Sequence, residues 1–204
     1  MPTPRTCLLS LLILAVLGGP ALAEPGTEAD PVVSSNHPRV GSIAPAFALY
    51  PLDGSKGLRG TSSDYRQPTQ LDDICGLRPG NTKAVVLLFV DAQLLENLLT
   101  ADRWWKAHHR DGLQILAISL ESSPDSFSAE VKKADLGFPV LNGRHGVVAS
   151  RYGLSGAPFS MLLNEECRVI GYSNRALSVD SEALEDAMKA QLNGQLGTAA
   201  GSMR

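Results

Sequence analysis

Sulfur is scarce in this chain. Of its 204 residues only Cys7, Cys75 and Cys167 are cysteines, and no two of them form a CxxC pair. That excludes a vicinal dithiol and a cysteine-rich zinc site. The four histidines do not make up the deficit. His108 and His109 are adjacent and so point in different directions on a helix, while His37 and His145 stand alone. No metal site and no cofactor is expected. Aromatic residues are also few, 5% of the chain, and no basic stripe is interleaved with them, so no nucleic-acid partner is expected. A formal net charge of −3 implies no strong electrostatic partner. What is abundant is apolar residues, at 44%, enough for one folded domain with a core of its own.

No apolar run is long enough to cross a bilayer comfortably. The longest lies in "MPTPRTCLLSLLILAVLGGPALA", where Arg5 precedes an apolar stretch over 8–17 and "ALA" ends at Ala23. A positive start, a short apolar centre and a small-residue stop predict a signal peptide over 1–23, cleaved after Ala23. The expected location is therefore the periplasm or the exterior, with membrane contact only during export. Cys7 leaves with that segment. Residues 24–38 read as a flexible linker, 39–193 as one domain, and 194–204 as a polar, glycine-bearing disordered tail.

Within the domain, alternating Phe47 and Leu49 predict a short strand stopped by Asp53-Gly54. Residues 57–70 read as a loop, and "QLDDICGL" as a single helical turn. Residues 84–90, apolar on both faces, predict a central strand. A helix over about 92–110 follows, stopped by Gly112. Its apolar stripe runs through Leu94, Leu95, Leu98, Leu99, Ala101, Trp105 and His108, which places Trp105 in the core and leaves Trp104 partly exposed. Asp91 and Glu96 beside the helix start read as residues favoured by its dipole. A second buried strand covers 113–120. Helices are expected over 122–134, capped near Ser123, and over the "GVVASRYGL" segment. A hairpin turns at Asn164-Glu165-Glu166, and a last helix runs over 181–192, capped by Asp180 or Ser181.

These pieces, in this order, resemble the thioredoxin-like superfamily, more narrowly the TlpA-type thiol–disulfide reductases and the AhpC/TSA-related redoxins. "VGSIAPAFAL" is similar to the family's G-x-x-A-P-x-F-x-L opening. "AVVLLFVDAQ" resembles the strand before the cysteine pair, and "FPVLNGRHGVVASRYGLSGAPFSMLLNEECRVIGY" the long segment that contains the conserved-type proline loop. The resemblance spans about 40–192. It implies an α/β thioredoxin-like fold, with a central mixed sheet, helices on both faces and an extra N-terminal strand or hairpin.

It also implies where catalysis would sit. Leu94 falls on the nucleophilic cysteine and Asn97 on the resolving one, and no cysteine lies between Cys75 and Cys167. A thiolate held at a helix start is the reagent of thiol exchange and of peroxide reduction. Leucine has no proton to lose and asparagine cannot close a disulfide, so the catalytic set is expected to be empty. What the resemblance leaves is a peptide-binding groove formed by Gln93, Leu94, Leu95, Ala157 and Pro158, with Pro158 a candidate cis-proline facing Leu94. A periplasmic or envelope protein is the expected kind of partner. The same arrangement brings Cys75 and Cys167 near one end of the sheet, as a structural bridge or as two separate thiols. A redox enzyme working through that distant pair is the alternative function.

Overall fold

The computed structural model describes residues 38–52, 55–56, 67–75, 81–121, 124–143, 145–179 and 181–195. The expected signal peptide, most of the linker, the Asp53-Gly54 stop, most of the 57–70 loop, the Ser123 cap and nearly all of the tail lie outside them.

Two chemistries of strand build the centre. β3 (Ala84–Val90) is seven apolar residues, all buried. Its side chains divide by parity: Ala84, Val86, Leu88 and Val90 enter one core, Val85, Leu87 and Phe89 the other. A strand buried on both faces has no need of polar alternation. It pairs in parallel with β4 (Leu113–Ser119), and β4 pairs in parallel with β5 (Val140–Asn142). On its other side β3 pairs antiparallel with β6 (Phe159–Asn164), which turns into β7 (Val169–Ser173) through Asn164-Glu165-Glu166. The sheet order is β5-β4-β3-β6-β7. A separate two-stranded ribbon joins β1 (Ala48–Leu49) to β2 (Thr69–Gln70), and one 3₁₀ turn over Leu71–Asp73 follows it.

Helices cover both faces. α1 (Leu95–His108), α2 (Pro124–Ala134) and α4 (Glu182–Leu192) supply Leu98, Trp104, Phe127, Val131, Leu184 and Met188 to the first core. The short α3 (Val147–Arg151) supplies Val148 to the second, beside Phe47, Leu71 and Tyr152. Gly112 ends the α1 region at φ 108°, as expected of a residue without a Cβ. Ser181 stands at the N-cap of α4 but makes no side-chain cap bond there.

The α1 phase differs from the expected stripe. Trp104 is buried, Trp105 is half-buried and Leu99 is exposed. The reason is that the buried face carries polar groups with partners. Asp102, 4% exposed, accepts from the Gly137 N–H at 2.8 Å and pairs with Lys106. Trp104 and Glu185 of α4 line one small cleft on that side. Trp105 instead lies flat against His109, ring centroids 4.3 Å apart, and its ring roofs Gly137, where a Cβ would fall 2.1 Å from the indole.

An N-terminal strap crosses the second core. Gly41 and Ser42 exchange backbone bonds with Val169 of β7. Pro45 O accepts from the Tyr152 hydroxyl and Ala46 O from Arg151. Leu52 N–H then donates to Val140 and Tyr50 O accepts from Asn142 on β5. Both outer strands thus have backbone partners in one segment, which blunts the exposed edges of the sheet.

Candidate functional site at the helix-start pole

β3 and β4 deliver the chain to one pole of the sheet. There Asp91 adopts an extended N-cap conformation, Ala92–Leu94 form a 3₁₀ turn, and α1 proper begins at Leu95. The helical segment therefore opens where expected, with its first turn wound more tightly. Register brings the proline loop alongside: Phe159 pairs with Phe89, so Pro158 falls beside the Val90 end of β3. The Ala157–Pro158 peptide is cis.

Three amides at the helix start are occupied. Gln93 N–H donates to Asp91 Oδ1 at 3.1 Å, Ala92 N–H to Glu121 Oε1 at 2.7 Å, and Leu94 N–H to Asp91 O at 3.1 Å. Unpaired amides at a helix start are the groups that stabilise an anion there. Two carboxylates of the protein itself fill that role. Asp91 is legible in the sequence as an acid favoured at the helix start; Glu121 is not, because it reaches the site from the end of β4.

Leu94 and Leu95 are half-buried and pack on the first core, while Gln93 is exposed. Asn97 is 3% exposed. Its Oδ1 accepts from both the N–H and the hydroxyl of Ser178, at 3.3 and 3.2 Å. The side chain on the expected resolving position thus pins the segment after β7 to α1. Ser178 was not legible as its partner, since the two are 81 positions apart.

A cleft of about 620 Å³ opens at the same pole, on the α3 side of the proline loop. Asp91, Leu120, Ala149, Ser155 and Ala157 are among its lining. Ala157 is the one expected groove residue in it; Gln93, Leu94, Leu95 and Pro158 do not line it.

Cys75 and Cys167 form a disulfide with Cα atoms 5.4 Å apart, closing a separation of 92 residues. Of the two readings left open by sequence, bridge or separate thiols, the structure has the bridge. Both cysteines are buried. Cys167 follows Asn164, whose pairing partner is Ala84 at the far end of β3. At about 3.3 Å per residue, that end is roughly 20 Å from Asp91. Among the described residues no group of three or more His, Cys, Asp or Glu is placed to hold a metal ion.

Neither a protein-family model nor a curated protein matches the sequence. Solved structures do. A Chlorobium tepidum protein assigned as a thiol:disulfide interchange protein DsbE superposes with TM-score 0.63 at 21% identity, covering 76% of this chain and 99% of its own. The fold is thioredoxin-like. StoA from Bacillus subtilis (TM-score 0.51, 16% identity, 71% of this chain, 97% of its own) and a reduced 2-Cys peroxiredoxin from Plasmodium vivax (0.57, 16%, 74% and 80%) share it. In this chain no cysteine lies between Cys75 and Cys167, a span that includes the helix-start pole.

Proposed function

We propose that this is an exported thioredoxin-like protein that works without thiol catalysis, as a peptide- or protein-binding accessory module. The observation that carries the proposal is the chemistry of the pole. Leu94 and Asn97 stand where a cysteine pair would act, the amides of Ala92 and Gln93 are held by Glu121 and Asp91, and Asn97 is spent on Ser178. A thiolate has no residue to form on, and the amides of Ala92 and Gln93 already meet carboxylates of the protein.

What supports binding is the surface left beside that pole. Residues 155–157 offer half-buried and exposed backbone next to the cis-proline, and a sizeable cleft adjoins them. An extended peptide can pair its main chain with such a segment, as in strand addition. Leu94, next to Gln93 at the helix start, supplies apolar surface. The apolar leader over 1–23 supports export, and one structural neighbour is a secreted disulfide oxidoreductase from Mycobacterium tuberculosis.

The second reading, redox turnover through Cys75 and Cys167, is less favoured by their position. Exchange requires a thiolate to reach a sulfur, and both sulfurs sit in buried residues at the opposite end of β3.

Binding is tested with a panel of unstructured apolar peptides followed by fluorescence anisotropy. Saturable binding is expected, weakened about fivefold or more by Leu94→Asp, equivalent to roughly 1 kcal/mol. No saturable binding, or an affinity indifferent to Leu94→Asp, contradicts the proposal.

A further inference from the structure

Two clefts flank α3. The larger one, at the pole, has Asp91 as its only charged lining residue among the described residues. The second, about 270 Å³, lies on the other flank between β1 and the turn from β5 into α3, and its lining includes the cationic Arg151. Its apolar lining is Phe47, Leu49, Val147 and Val148; its polar groups include His145 and Arg151. Phe47 and Val148 are buried and form the floor, whereas Val147 is 55% exposed at the mouth.

The segments that supply its lining are short of acid. Residues 136–164, which run from before β5 through α3 to the end of β6, contain no Asp or Glu but carry Arg144, His145 and Arg151. The strap over 39–52 likewise has no acid. In a chain with 21 acids and a net negative charge, these two segments are free of acid in sequence. Arg151 is held in place by one bond, NH1 to Ala46 O at 3.1 Å, and it has no ion pair among the described residues. Its remaining donors keep the planar fork that binds a carboxylate with two parallel bonds.

We infer that this second cleft is a binding site for a small apolar carboxylate, an aromatic or short-chain acid whose hydrocarbon lies on Phe47, Leu49 and Val148 and whose acid group meets Arg151. The volume suits such a body rather than a drug-sized one, for which pockets run to roughly 300–1,000 Å³. The site is independent of the peptide-binding reading, since it shares no lining residue with the polar cleft.

The test is titration of the isotope-labelled protein with 4-phenylbutyrate and, separately, with 4-phenylbutanol, followed by amide chemical shifts. Saturable shifts centred on Leu49, Gly143, Val147 and Val148 are expected with the acid, and binding weaker by about tenfold or more with the alcohol. Arg151→Gln should bring the acid down to the level of the alcohol, and Arg151→Lys should restore part of the difference. Val147→Asp, at an exposed position that does not threaten folding, should abolish both. Equal affinity for acid and alcohol, indifference to Arg151→Gln, shifts centred on the Asp91 cleft instead, or no saturable shift up to the solubility of the probe would each overturn the inference.

Discussion

At the scale of single residues, identity and role come apart. Asn97 falls, by the resemblance read from sequence, on the expected resolving position, and is read there only as an absence. In the structure it is a buried acceptor for two donors of Ser178. Asn97→Ala would leave both donors without that partner, and the cost is expected at about 1–3 kcal/mol. A lower urea midpoint with an unchanged m-value checks this; an unchanged midpoint contradicts it. The sequence exposes a missing chemistry well, because a leucine cannot be a thiolate anywhere. It exposes a new polar contact poorly, because the partner lies 81 residues on and nothing in local spacing points to it. Glu121 was hidden for the same reason.

At the scale of elements, strands were more legible than helix faces. β3 and β4 followed from runs of β-branched and apolar residues, and the hairpin from its Asn-Glu-Glu turn between apolar segments. The rotation of α1 did not follow from hydrophobicity. Asp102 and Asn97 turn inward because each meets a donor there, and that turns Trp104 in and Leu99 out. The strap was expected only as a short strand, since its partners are backbone groups of distant strands. One of its anchors titrates. Burial pushes the Tyr152 hydroxyl well above the usual tyrosine range, and that hydroxyl donates to Pro45 O at 2.9 Å. The unfolded chain releases this proton near pH 10, while the folded one retains it. Stability is therefore complete below about pH 10 and falls as pH rises beyond it. Tyr152→Phe should start from lower stability at neutral pH, having lost the bond, and should show a shallower alkaline decline in thermal melts. A decline of equal steepness in both proteins contradicts this role.

At the scale of the whole molecule, the thioredoxin-like fold holds two poles with different work. One pole carries the proline loop and the start of α1 with Leu94 and Asn97. The other carries the disulfide, which closes a loop of 92 residues between the strap-side turn and the β6–β7 hairpin. Its expected contribution is about 4–5 kcal/mol in the chain-entropy model. Reduction of the protein, or the paired Cys75→Ser and Cys167→Ser substitutions, should lower the unfolding free energy by that order while the far pole keeps its amide dispersion. A protein as stable reduced as oxidised contradicts a structural bridge. Fold and catalysis are separable in principle: the order of elements matches solved structures at about 20% identity, while no cysteine lies between Cys75 and Cys167.

The most direct measurement is therefore turnover itself. Purified protein is assayed for reductant-driven reduction of insulin disulfides, alongside Cys75→Ser and Cys167→Ser. A non-catalytic pole predicts the uncatalysed rate for all three proteins. Acceleration by the unsubstituted protein that either serine substitution abolishes would contradict it and move the chemistry to the buried pair.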